Sequence, residues 1–264
     1  MSEINFNIVE NEIDFHGSKL SIQTGEMARL TDASILCRYG GTAVLCNIVY
    51  DKTQGVKNDF FPLMVIYQEK YYAANRIPGG FLKREAKLSD YETLTSRLID
   101  RTIRPLFDER FVNETQVICT VISYDGKNSP AFAAMTGVSA ALKISGVPFH
   151  GTVAGLNVGY DGNNFAFNVN GQSLLDLFVS GTKDSIMMVE SQAFELSEEE
   201  FVKAISMAHE QINVLCSFIE DFASKVSKKS EFVMQNDEDL SEFKNEIISN
   251  FGEEILNAFK IEDK

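Results

Sequence analysis

Residues 60–110 read FFPLMVIYQEKYYAANRIPGGFLKREAKLSDYETLTSRLIDRTIRPLFDER, and this stretch decides the fold. Pro62 to Gln68 is apolar and β-prone, which predicts a strand. Arg76-Ile77-Pro78-Gly79-Gly80 cannot continue it. Proline removes a donor and the glycines allow positive φ, so the chain must turn. Phe81-Leu82-Lys83-Arg84 falls in the resulting loop. Ser89 with Glu92 is a capping-box pattern and predicts a helix starting at Ser89. Pro105 disfavours α geometry at Arg104, so the helix should end near Ile103. Arg97, Arg101 and Arg104 are spaced i, i+4, i+7 and share one face. Leu94, Leu98 and Ile99 are expected to supply the buried side.

The same stretch holds six of the eight arginines, and none follows Arg110. The chain as a whole carries a net charge of −14, so this concentration calls for a reason. One reading pairs the arginines with Asp90, Asp100 and Asp108 inside the fold. The other places a polyanion on them, because the guanidinium fork matches a phosphate. A cationic helix face beside a Gly-rich loop tipped with Phe-Leu-Lys-Arg favours the polyanion. Nucleic acids are gripped chiefly through phosphates, and single strands also stack on aromatic rings. Phe81 and Tyr71-Tyr72 are candidate stacking surfaces, with a core or subunit contact as the alternative.

The length of 264 residues allows one or two domains with a sizeable core. No apolar run is long enough to span a membrane, and Met1 to Glu10 lacks the features of a secretion signal. Cys37, Cys46, Cys119 and Cys216 form no C-x-x-C pair and lie among apolar residues. Buried free thiols in a reducing cytoplasm are expected. The three histidines, His16, His150 and His209, are scattered, which argues against a histidine metal site or triad. Acid is concentrated late in the chain. Residues 190–264 contain 7 Lys against 18 Asp and Glu, a net −11, which leaves −3 on the other 189 residues. Whole-chain charge speaks against nucleic-acid binding; its distribution does not.

Working outward, Ile4 to Val9 and Leu20 to Thr24 read as strands. Ala33 to Tyr39 and Thr42 to Tyr50 read as a hairpin across Gly40-Gly41. Gln116 to Ser123 is a buried strand ending at Asp125-Gly126. Ser129-Pro130 opens a helix rich in small residues and apolar nearly all round, so it is buried, and Gly146 and Pro148 stop it. Thr152–Tyr160, Asn164–Asn168, Leu177–Ser180 and Ser185–Val189 are further strands. Ser197 with Glu200 opens a long amphipathic helix to about Val226, with Phe201, Ile205, Ile212, Leu215 and Ile219 inside. A polar linker follows, and then a helical pattern broken at Gly252 whose apolar face needs a cover. This suggests an N-terminal fragment or a partner subunit. The pattern defines an α+β (mixed α/β) domain over 1–226, a linker over 227–239 and the start of a helical domain over 240–264. No G-x-G-x-x-G, P-loop, H-E-x-x-H or G-x-S-x-G signature is present.

FFPLMVIYQEKYYAANRIPGGFLKRE followed by LTSRLIDRTIRPLF resembles the first ribonuclease PH-type domain of the bacterial polynucleotide phosphorylase family. SPAFAAMTGVSAAL, VSGTKDSIMMVES and ELSEEEFVKAISMAHEQI agree with that family in order and spacing, so the resemblance covers essentially the whole chain. It implies a ribonuclease PH-like domain (a ribosomal protein S5 domain 2-like fold) followed by the start of an all-helical domain. It further implies a phosphate-dependent 3′-to-5′ exoribonuclease that releases nucleoside diphosphates. The family forms a ring-shaped homotrimer in the cytoplasm, takes inorganic phosphate as co-substrate and uses Mg²⁺. RNA-degradation complex partners are possible, and no membrane is involved.

Residue by residue, Phe81, Leu82, Lys83 and Arg84 match the channel-constriction loop that contacts single-stranded RNA, and Arg97, Arg101 and Arg104 match the arginine helix. The catalytic and Mg²⁺ sites of the family lie in a second ribonuclease PH-type domain, so neither is expected in this chain. Departures are Leu82 for the usual Phe, Asn75 for Gly and Thr102 for Pro. Lys127-Asn128-Ser129-Pro130 stands where active ribonuclease PH binds phosphate, without its arginine. Only the Ser129 hydroxyl and a helix N-terminus remain there to hold an anion weakly. The competing readings are a self-contained ribonuclease PH-like enzyme and a non-catalytic RNA-binding or structural ring subunit.

Overall fold

A computed structural model describes residues 7–53, 60–85, 87–168, 173–226, 232–234 and 241–261. By internal contacts the chain divides into two compact units, through Phe232 and from Val233.

The first unit is built on two sheets. One contains β1 (Val9–Phe15), β2 (Ser18–Thr24), β3 (Ala33–Tyr39), β4 (Thr42–Tyr50), β5 (Leu63–Glu69) and β6 (Thr115–Ser123), in the order β1-β2-β3-β4-β6-β5. Neighbours are antiparallel except β5 and β6. That pair is parallel because the chain between them crosses over through α1 (Asp90–Ile103), the connection a parallel pair needs. The second sheet contains β7 (Ala154–Tyr160), β8 (Phe165–Phe167), β9 (Leu175–Gly181) and β10 (Ile186–Ala193), all antiparallel, in the order β10-β9-β7-β8.

The helix α2 (Pro130–Ser145) is the centre of the core. Every residue in it is buried except Lys143. It packs on β3 and β4 from one side and on β7 and α3 (Glu198–Lys225) from the other. Its small residues make that approach possible: a Cβ on Gly137 would stand 2.6 Å from the Cys46 sulfur. Burial of Cys37, Cys46 and Cys216 pushes their thiols up, so these three are inert packing groups, and Cys119 is buried with them. Among the described residues no helix is long and apolar enough to cross a membrane.

Several expectations are corrected. The first strand runs over Val9–Phe15 rather than Ile4–Val9, and residues 1–6 lie outside the described ones. Its outward face carries Glu10, Glu12 and Asp14, and its hairpin turns through His16 (φ 49) and Gly17 (φ 77). Leu94 is exposed, and the buried side of α1 is Thr95, Ser96, Ile99, Thr102 and Ile103. Arg104 keeps αR geometry despite Pro105 and leads into a short 3₁₀ turn, Arg104–Leu106. Phe232 carries the first unit past Val226: its ring meets Tyr50 and Phe111, and its N–H donates to the Gly146 carbonyl at 2.9 Å. The rest of the expected linker, 227–239, lies outside the described residues apart from Val233 and Met234. In the second unit α4 (Ser241–Ala258) runs unbroken through Gly252. It exposes Phe243, Ile248, Phe251 and Ile255 and buries no residue.

Candidate nucleic-acid interface

The loop that follows β5 is anchored at its base. Tyr71–Ala74 forms one 3₁₀ turn, and Asn75 closes it at φ 56. A left-handed residue there explains why asparagine substitutes for glycine: its short polar side chain tolerates that conformation. Glu85, at the far end of the loop, accepts from Lys70 Nζ at 2.7 Å and from the Tyr71 N–H at 3.0 Å. Those two donors hold its carboxyl below the usual range. Between these anchors the Lys83 N–H donates to the Gly80 carbonyl at 3.0 Å, closing a turn with Phe81 and Leu82 at its tip. Their side chains are 99% and 76% exposed, so neither is held by the described residues of the chain. The left-handed position falls on Lys83 (φ 51), whereas Gly79 and Gly80 keep conformations open to other residues and would meet nothing with a Cβ. Arg84 beside the tip and Tyr71 and Tyr72 at the base are exposed.

The helix behind the loop starts as its sequence dictates. The Ser89 hydroxyl accepts from the Glu92 N–H, and the Glu92 side chain returns to the Ser89 N–H. Glu92 also accepts from the Glu69 N–H at 2.7 Å, which ties the helix start to the end of β5. Sequence reasoning missed this second role of a capping residue, along with the anchoring by Lys70 and Glu85. Further along, Ser96 Oγ accepts from the Tyr67 N–H at 2.9 Å, and the hydroxyls of Thr102 and Ser180 lie 2.7 Å apart. Thr102 thus uses the position where the family has proline to join the helix to β9.

The three arginines do not share one environment. Arg97 is exposed and makes no hydrogen bond or ion pair among the described residues. Arg101 is exposed and stands 3.6 Å from Glu190. Arg104 turns inward: it holds both oxygens of Asp100 (2.7 and 3.1 Å) and the carbonyls of Phe61 (3.0 Å) and Leu63 (3.1 Å). Its guanidinium is committed to the fold, which is the internal pairing with Asp100 weighed from the sequence.

The place where ribonuclease PH binds phosphate is filled from within. Burial raises the Asp125 carboxyl, but the N–H groups of Asn128, Lys127 and Gly41 and the Asn128 amide outweigh it and hold the carboxyl well below the usual range. The Thr42 hydroxyl adds a further contact at 3.1 Å. The Ser129 hydroxyl accepts from the Phe132 N–H and is spent on capping α2. The Asp125 carboxylate and the capping contact of Ser129 thus occupy much of the place where an anion would sit. Among the described residues no group of three His, Cys, Asp or Glu is placed to hold a metal ion.

Sheet order, the βαβ crossover and the central α2 define a ribonuclease PH-like α+β domain. The family model "3′ exoribonuclease family, domain 1" matches residues 17–148, half of the chain, and "domain 2" of the same family matches 168–211. The chain belongs to the 3′ exoribonuclease family. Among its relatives, the polyribonucleotide nucleotidyltransferase of Ruegeria sp. (strain TM1040) is 47% identical over 85% of this chain and 33% of that protein. Those of Dinoroseobacter shibae and Orientia tsutsugamushi (strain Ikeda) are 45% and 43% identical, each over 98% of this chain, and 38% and 36% of their own length. The chain thus spans about a third of the length of these relatives. Rice (Oryza sativa) Rrp46 has the same fold, with a TM-score of 0.59 at 16% identity over 78% of this chain and 93% of that one.

Proposed function

We propose that this chain supplies the RNA-entry surface and part of the ring scaffold of a phosphorolytic 3′-to-5′ exoribonuclease. In that enzyme inorganic phosphate is the co-substrate and Mg²⁺ serves catalysis outside this chain. One observation carries the reading: Phe81 and Leu82 stand in solvent at the tip of a firmly anchored turn, followed directly by Lys83 and Arg84. The apolar tip offers a face for bases, and the two cations meet phosphates as the strand passes. Arg97 and Arg101 extend the cationic track along α1, while Arg104 holds that helix in place. Around a threefold ring of such chains, three tips would line one opening, which accounts for a homotrimer. The relatives' names support the phosphorolytic activity of the longer protein, and the reaction is assigned to cytoplasmic RNA turnover.

A short oligo(A) tests the reading. Binding to the purified chain should weaken with salt at a log–log slope of about −0.7 per phosphate contact. The double substitution Lys83→Ala/Arg84→Ala should remove roughly two contacts from that slope without lowering the unfolding temperature. Equal loss of both would show that the loop is only structural. Poly(A) phosphorolysis by the chain alone, with phosphate and Mg²⁺, should be absent; activity would favour a self-contained enzyme.

A further inference from the structure

A cavity at the end of the parallel strand pair has chemistry that neither the loop nor the arginine helix uses. β5 and β6 are the one parallel pair among the described strands, and Glu69 lies in register with Val121 at their carboxyl ends. In open sheets, ligands gather at the carboxyl ends of parallel strands. Here Tyr91 from the first turn of α1 and Pro130 from the first turn of α2 converge on that end and enclose about 220 Å³. This is below the ~300–1,000 Å³ of sites for larger organic ligands and suits one flat heteroaromatic base.

The lining is selective. Ala73, Val121 and Pro130 are apolar. Tyr91 and Tyr124 bring rings and hydroxyls, and both are partly exposed at the cavity. Burial and then the neighbouring Glu69 carboxylate push the Tyr91 hydroxyl up, with Tyr124 adding to it, so the three groups lie together. The Glu69 backbone is fixed through its N–H to Glu92. One Glu69 oxygen accepts from the Tyr67 hydroxyl at 2.6 Å, and the other has no protein partner among the described residues. Lys70 also lines the cavity, but its charge is taken by Glu85 at 2.7 Å. An unneutralised carboxylate and a spent cation disfavour a phosphate inside. They suit a flat ring that presents N–H donors to Glu69 and an acceptor to a tyrosine hydroxyl. Guanine has both on one edge, N1–H and N2–H₂ beside O6. Uracil would turn a carbonyl on the carboxylate.

We propose that the cavity formed by Glu69, Tyr91 and Tyr124 is a binding pocket for a guanine base, with its sugar and phosphate left outside. The base comes either from a free nucleotide or from a strand held at the loop, and only the second source rests on the RNA reading above. Calorimetric titration with guanosine monophosphate tests the pocket by itself. Guanosine monophosphate should bind at least about tenfold more tightly than uridine monophosphate, and Glu69→Gln should abolish that preference with an unchanged unfolding temperature. Tyr124→Ala, at an exposed position, should weaken guanosine monophosphate binding several-fold by removing a ring face. Lys83→Ala/Arg84→Ala should leave it unaltered. An RNA ending in guanine that binds more than about tenfold more tightly than the mononucleotide, with the gap closed by Lys83→Ala/Arg84→Ala, identifies the strand as the source; equal binding identifies the free nucleotide. No saturable binding of guanosine monophosphate, equal binding of uridine monophosphate, or an unaffected Glu69→Gln overturns the pocket. Failure of the loop variant to affect RNA, with guanosine monophosphate still bound, overturns the RNA reading alone.

Discussion

Arg104 grips Asp100 one turn earlier on α1, with Nε and an Nη nitrogen each on one carboxylate oxygen at 3.1 and 2.7 Å. Its remaining donors reach back to the carbonyls of Phe61 and Leu63, just where the chain enters β5. A single guanidinium therefore ties the end of the crossover helix to the start of the strand before it. Three arginines on one helical face thus divide into one that holds the fold and two that face solvent.

Removing these side chains should separate the two jobs. Arg104→Ala leaves a half-buried carboxylate and two carbonyls without donors. A hydrogen bond to a charged group contributes about 1.5–3 kcal/mol, so a loss of that order is expected in urea unfolding. Arg97→Ala should change stability by less than about 0.5 kcal/mol and lower the salt slope of RNA binding by about 0.7. The opposite pattern would return Arg104 to the RNA surface and make Arg97 structural.

Asp125 should make the domain acid-sensitive. Its carboxyl lies below its ordinary value in the folded chain, as do those of Asp108, next to Arg110, and Glu85, next to Lys70. A depressed carboxyl stabilises the fold above the unfolded pKa of roughly 4, and that contribution is lost as pH falls through the lower folded value. The unfolding temperature should therefore decline below about pH 5. Asp125→Asn should start lower at pH 7, and its gap to the unaltered chain should narrow as the pH is lowered. A gap that stays constant with pH would mean that geometry, not charge, carries the Asp125 contacts.

Much of this was legible because it was local. The Ser89–Glu92 and Ser197–Glu200 boxes mark the starts of α1 and α3, and β3 and β4 follow from two apolar runs around Gly40-Gly41. The loop tip was legible as well, because Phe81 to Arg84 sits between breakers. β1 was not, since its inward side includes the polar Asn11 and its turn is built on His16-Gly17 rather than on Asn-Gly or Asp-Gly. The role of Arg104 required knowing that the carbonyls of Phe61 and Leu63, about forty residues away, return beside it. The Asp125 nest and the Glu69 cavity likewise depend on strand register, which no local pattern carries.

Asn75 offers a test of backbone conformation apart from contacts. At φ 56 it holds a left-handed conformation that asparagine tolerates but that costs a residue with an ordinary side chain about 1 kcal/mol. Asn75→Ala should destabilise the first unit by about that amount, and Asn75→Gly should be neutral or slightly stabilising, both read by chemical denaturation. An alanine variant as stable as the unaltered chain would mean that the turn adapts, and that the loop is less firmly anchored than Glu85 and Lys70 make it.

The Thr102–Ser180 pair joins the arginine helix to the second sheet through one buried contact of 2.7 Å. Thr102 also donates or shares its hydroxyl with the Leu98 carbonyl at 2.9 Å, so the two hydroxyls form a short chain ending inside the helix. Thr102→Val keeps the shape and leaves the Ser180 hydroxyl buried without that partner, at a cost of about 1–3 kcal/mol. The double substitution Thr102→Val/Ser180→Ala removes both polar ends and should recover most of the loss. A double-mutant cycle in urea reads the coupling directly. If the two single losses simply add, the hydroxyls act independently, and the helix is held to β9 by packing alone.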